Sequence, residues 1–310
     1  MPTNSFDKYS RFRPDALSRT FGVNLFLSDK DRQDESVQFK SKVVYCGEPD
    51  SGTYYFDLYK LDFIASTDYM GEHLFSLLWD SISPLYPFTA ILDRTGQLNA
   101  ITAFGVEQRW EKVKKELRKR YAGMEVEAYI SAMDDVILYD QDTMYRMVMD
   151  DFFFSHLLQF RYDSVRKGSE SSFVISSPLL PHKPPLMYQV IQQIRKHPDE
   201  DENILQVCQE GTLLGTKRYK DLFFADHPEY EMLDQEVNGT LSFLYEVAVD
   251  SLSINSMEGV VELRCGKTVL QKTRMTAFYL EEESVDAEPM KYINNLKNDG
   301  FMIKPENDDL

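Results

Sequence analysis

The sequence predicts an α+β protein, with antiparallel β-hairpins or sheets in both halves and a three-helix stretch between them. Three observations carry that prediction. Two pairs of short β-branched and aromatic runs precede residue 103, each pair joined by a glycine-bearing turn. The apolar period then lengthens to that of a helix between residues 106 and 160. Three further β-rich runs, separated by short turns, follow residue 239.

Residues 1–35 are rich in charge and turn formers and hold one short apolar island, Phe21–Leu27, so they are expected to form an N-terminal arm. An α+β domain is expected over 36–165. It opens with Val37–Tyr45, a turn through Gly47, Pro49 and Gly52, and Thr53–Ile64, which together read as a hairpin. Asp68 offers a cap for a helix whose buried side carries Met70, Leu74, Leu77 and Leu78 and which ends before Pro84. A second hairpin joins Pro87–Leu92 to Gln97–Thr102 through Asp93-Arg94-Thr95-Gly96, where Gly96 supplies the positive φ that closes the turn.

The next segment is the most informative in the chain. Val106, Trp110, Val113, Leu117 and Tyr121 fall on one side of a helix, and Lys112, Lys115 and Lys119 fall on the other. Between Arg109 and Arg120 stand seven basic and two acidic residues, inside a protein of net charge -17. Gly123 is placed to end that helix, and a second runs from about Glu125 to Val136. Asp142 is expected to cap a third, with Tyr145, Met149, Phe152, Phe153, His156, Leu157 and Phe160 on one broad apolar face.

Residues 166–185, rich in Ser and Pro, read as a linker between domains. A mainly antiparallel β domain is expected over 186–285. Its first segment is ambiguous: Met187, Val190, Ile191 and Ile194 fit a helix, while Ile204–Cys208 beyond the acidic turn has strand character. Thr240–Val249, Gly259–Arg264 and Thr268–Leu280 then form an expected meander. Residues 286–310 make an acidic C-terminal tail, with one short helix expected from Glu288 to Asn298.

Composition narrows the function classes. With 43% apolar and 13% aromatic residues, the chain can bury a large core, which argues against disorder over its whole length. The excess of 51 acidic over 34 basic residues repels nucleic acid, and no apolar run approaches the roughly 18 to 20 residues of a membrane span. Cys46, Cys208 and Cys265, odd in number and widely spaced, read as reduced thiols. A cytoplasmic protein is the expectation.

The sequence is expected to hold no catalytic residue, no metal site and no cofactor site. The five histidines are scattered. Asp134, Asp135, Asp140, Asp142, Asp150 and Asp151 beside His156 could hold a divalent cation in a hydrolytic site, but helix capping and core packing account for the same residues. Gly211–Lys217 has the wrong spacing for a phosphate loop. Asn238-Gly239-Thr240, a match to the glycosylation triplet, reads as a turn entering a strand. The expectation is therefore a non-catalytic protein-interaction subunit (adaptor, immunity-like or chaperone-like) in a soluble complex, with Lys112, Lys115 and Lys119 contacting a protein partner. A metal-dependent hydrolase built on the Asp/His cluster and a structural subunit of a larger assembly are its alternatives, and oligomer formation stays open.

Overall fold

Among the described residues twelve strands form one antiparallel sheet, in place of the separate sheets expected for the two halves. A computed structural model describes residues 13–30, 35–48, 52–66, 83–121, 123–139, 141–167, 170–180, 183–196, 203–223 and 232–280. The strands are β1 (Arg19–Asp29), β2 (Glu35–Gly47), β3 (Thr53–Ser66), β4 (Phe88–Asp93), β5 (Leu98–Thr102), β6 (Ser171–Ser177), β7 (Leu186–Lys196), β8 (Ile204–Leu213), β9 (Lys217–Arg218), β10 (Glu236–Ala248), β11 (Ile254–Cys265) and β12 (Thr268–Tyr279). Their order across the sheet is β5-β4-β3-β2-β1-β12-β11-β10-β8-β7-β6, with β9 paired to β10.

Five helices connect the two outermost strands: α1 (Val106–Arg120), α2 (Met124–Tyr139), α3 (Gln141–Met149), α4 (Phe152–Leu158) and α5 (Tyr162–Lys167). A short α6 (Tyr219–Phe223) follows β9. The expected third helix is thus divided, because Asp151 takes an extended conformation and caps α4 with its own carboxylate. Asp142 lies inside α3 instead of capping it.

The hairpins β2/β3 and β4/β5 and the meander β10-β11-β12 form as expected, with Gly96 at a φ of 81° in the β4/β5 turn. The sheet departs from expectation where the sequence showed only weak local signals. Phe21–Leu27, expected within an arm, belongs to β1 at the middle of the sheet, where Phe21 pairs with Tyr279 of β12 and with Ser41 of β2. Ser171–Ser177, expected within the linker, is strand β6. In β7 the period is two: Tyr188, Val190 and Gln192 are buried while Met187, Gln189 and Ile191 are exposed. That alternation, imposed by pairing with β6 and β8, displaces the helical reading of Met187–Ile194. Asn238-Gly239-Thr240 lies within β10, paired to β11, and not in a turn. The helix expected after Asp68 and the one expected in the tail fall outside the described residues.

The core gathers around α4, which contacts β1, β2 and β10. All seven residues of this helix are buried. Phe153 packs on Phe21 of β1 and Phe39 of β2 with ring centroids 5.4 and 6.5 Å away. Phe152 and His156 pack on Phe243 of β10 at 6.0 and 4.0 Å. A single helix therefore touches strands from both halves of the sheet, and the buried side chains join into one main hydrophobic cluster. Gly259 of β11 makes room for this packing, since a methyl group there would overlap the Phe243 ring.

Two polar contacts orient α4. Asp151 Oδ1 accepts the backbone N–H groups of Phe153 and Phe154, both at 3.0 Å, as an N-cap does. Its other oxygen accepts from Lys60 Nζ on β3 at 2.5 Å, and that ammonium also lies 4.1 Å from the centre of the Phe39 ring. The carboxylate is almost fully buried, so the pair fixes helix to sheet.

Candidate functional site

Helix α1 starts where Gly105, in a left-handed conformation at φ 66°, turns the chain out of the β5 strand. Val106, Trp110 and Leu117 bury one side of it, and the aliphatic stem of Lys114 joins them. Most of the positive charge on this helix is consumed locally. Arg109 donates to the backbone carbonyls of Phe104, Leu85 and Pro87, which ties the start of the helix to the segment before β4. Lys114 donates to Asp134 of α2 at 2.8 Å and also pairs with Glu111. Arg118 forms a two-point pair with Glu127 at 2.9 and 2.8 Å.

The three lysines singled out by sequence lie on one exposed face, as their spacing of three and four residues requires. Lys119 pairs with Glu116 at 2.6 Å on the surface. Lys112 and Lys115 have no ion-pair partner among the described residues. The exposed cationic character of α1 is thus concentrated at Lys112 and Lys115, with Lys119 beside them.

Among the described residues, the acidic side chains named with His156 do not group to hold a metal ion. Asp134 is held by Lys114 and by the Trp110 indole N–H at 2.7 Å; burial opposes its ionisation, yet these donors keep its carboxyl below the usual range. Asp135 and Asp150 are exposed, and Asp151 is the cap of α4. His156 lies inside the core, where Nε2 is 3.1 Å from Ser177 Oγ and Nδ1 has no partner. Burial lowers its pKa to about 3, so the ring is neutral at physiological pH. Among the described residues no three His, Cys, Asp or Glu side chains are grouped to hold a metal ion. Asp140, His73, His182, His197 and His227 lie outside the described residues.

A second buried polar group lies on the other face of β2–β4. Asp57 accepts from Thr89 Oγ1 at 2.7 Å, and burial raises its pKa despite that bond. Cys46 beside it is pushed up to about 12, chiefly by burial, so its thiol is protonated and a poor nucleophile at neutral pH. Cys46, Cys208 and Cys265 are all free thiols on strands. Gly211 and Gly215 belong to strand β8 and the turn after it, and a methyl group at Gly211 would press on Val190.

A cleft of about 450 Å³ lies between the outermost strands β5 and β6. Leu98, Tyr145, Met149, Phe160, Val174 and Met187 supply much of its apolar lining. Gln159 stands in it with both ends of its amide engaged: Nε2 donates to the Ser176 carbonyl and Oε1 accepts the Ser176 N–H, each at 2.8 Å. Arg161 places its guanidinium 5.2 Å from the centre of the Phe173 ring. Sequence reasoning missed this edge. The available signal was the alternation of Phe173 and Ile175 with serines and Val174, which a Ser/Pro-rich composition masked.

No protein-family model matches the chain, and no curated protein sequence matches it. Among solved structures, a protein of unknown function from the DUF3598 family of Nostoc punctiforme aligns at 9% identity over 90% of this chain and 100% of that one, with a TM-score of 0.13. A likeness at that level carries no argument about this chain. No helix among the described residues is long and apolar enough to cross a membrane.

Proposed function

We propose that this protein is a non-catalytic interaction subunit, adaptor-like in kind, of a cytoplasmic complex, and that it meets an acidic partner surface through Lys112, Lys115 and Lys119. The observation that carries this reading is the division of charge on α1. Lys114, Arg118 and Arg109 are spent on contacts within the protein, while Lys112 and Lys115 stand exposed without an ion-pair partner among the described residues, in a chain of net charge -17. Exposed lysines on one helix face suit an acidic partner, and steering by such a face acts mainly on association rate.

The test is charge reversal of all three lysines to Glu. Val106, Trp110 and Leu117 carry the packing of α1, so the far-ultraviolet circular dichroism and unfolding midpoint should be nearly unchanged. The association rate with the partner recovered from the native source should fall by about tenfold or more at low salt and lose its salt dependence. An unchanged rate would place the interface elsewhere.

A further inference from the structure

We propose that the cleft between β5 and β6 is a binding site for a small amphipathic carboxylate, a molecule with an apolar body and one carboxylate head that Arg161 receives. Five parts of the chain, far apart in sequence, build the cleft: β5, α3, the junction of α4 with α5, β6 and the start of β7. Its volume of about 450 Å³ falls within the roughly 300 to 1,000 Å³ of small-molecule sites. Of the residues that line it, Met149, Leu158, Phe160 and Ile175 are buried, while Val174 and Met187 are exposed. Apolar side chains thus run from the interior of the cleft to its rim.

Among the described residues that line the cleft, Arg161 is the one that carries a charge. It is half-buried and its backbone is pinned, since its carbonyl accepts from Ser164 Oγ at 2.8 Å and from Gln192 Nε2 of β7 at 3.4 Å. The guanidinium lies 5.2 Å from the centre of the Phe173 ring, and no carboxylate among the described residues pairs with it. The other shielded cations are engaged: Lys60 with Asp151, Lys114 with Asp134, and Arg109 with three backbone carbonyls. A partly desolvated guanidinium without an anion is costly, and a carboxylate that takes two of its N–H groups offsets that cost. Tyr145 of α3 supplies a second donor to the cleft, because its half-buried hydroxyl makes no hydrogen bond among the described residues.

The remaining lining sets the class of ligand. An anion of several charges would meet a single cation in a chain of net charge -17, which repels it at long range. One carboxylate is matched by Arg161, and an apolar body by Leu98, Met149, Phe160 and Val174, whose burial against it supplies the attraction that net charge does not. Gln159 is already engaged, since both ends of its amide are held by Ser176. Those bonds tie the junction of α4 with α5 to β6, so the walls stand in place before a ligand arrives.

Titration calorimetry of the full chain with octanoate and with phenylbutanoate, against octanol as the uncharged counterpart, tests this. The carboxylates should bind with one molecule per chain and octanol about tenfold or more weaker; binding of only one carboxylate assigns the body as aliphatic or aromatic. Arg161→Gln should weaken the carboxylates by about tenfold or more and leave octanol unchanged. Tyr145→Phe, which removes only the hydroxyl, should weaken them a few-fold. Val174→Glu places a competing carboxylate at an exposed position of the lining and should also weaken them; it decides the matter if Arg161→Gln fails to fold. Reversal of Lys112, Lys115 and Lys119 should leave this binding in place, which separates the cleft from the face of α1. Failure of both carboxylates to bind, octanol bound as tightly as octanoate, or carboxylate binding unchanged in the folded variant that decides overturns the proposal.

Discussion

His156 shows how one side chain can set the acid sensitivity of the molecule. Its ring lies between Phe152 and Phe243, with Ser177 the one hydrogen-bonding partner among the described residues. The unfolded chain takes up a proton on this residue near pH 6.5, the folded chain not until about 3, so falling pH favours the unfolded state throughout that window. Asp57 acts in the opposite direction, because burial raises its pKa and the folded state binds that proton more readily. Comparison with His156→Leu isolates the imidazole. Between pH 7 and pH 5 the parent protein should lose about 2 kcal/mol more stability than the variant, measured by urea unfolding at each pH. Equal losses would mean that the histidine is accessible to protons in the folded state. The imidazole packs against the Phe152 and Phe243 rings, with centroids 4.7 and 4.0 Å away.

At the scale of elements, α4 depends on a contact that crosses the fold. Seven residues make too short a helix to be stable alone, so its start must be fixed by Asp151 and its position by Lys60. Removing only the cation leaves a buried carboxylate with the helix N–H groups and the Tyr86 hydroxyl as partners. Lys60→Met should therefore cost about 3 kcal/mol, seen as a lowered midpoint in denaturant unfolding. The double variant Lys60→Met with Asp151→Ser retains a cap and removes the orphaned charge, and should recover a large part of that loss. No recovery would show that Lys60 acts through packing on Phe39 alone. Helix α1 is the converse case: its period, its basic face and its end near Gly123 were all visible in local sequence.

For the whole molecule, the pairing of β1 with β12 joins residues some 250 positions apart and makes one sheet of the two expected ones. The order of strands means that β1 has neighbours on both sides, although its sequence begins only a few residues after the described chain starts. Interior strands open only with the sheet as a whole. Amide hydrogens of Val23 and Leu25 should therefore exchange as slowly as those of Phe243 and Tyr245 in β10, read by hydrogen exchange with mass spectrometry. Exchange of β1 many orders faster would indicate an arm that detaches on its own.

Sequence by itself determined the elements whose signals are local. The two early hairpins, the C-terminal meander and α1 and α2 each carry their own turn glycine, period or terminator, and those signals act within a few residues. It also placed Lys112, Lys115 and Lys119 on one exposed face, and His156 among apolar neighbours, because helical spacing alone fixes which residues share a side. Only the tertiary structure decided the rest. Phe21–Leu27 becomes a central strand because β12 and β2 satisfy its backbone from both sides, and Tyr188, Val190 and Gln192 face inward because β6 and β8 hold β7 extended. The place of β6 at the end of the sheet and the hold of Gln159 on Ser176 were equally out of reach, since both depend on residues distant from the strand in sequence. Periodicity reports the conformation of a segment. The partner that satisfies its backbone is chosen by the folding of the whole chain.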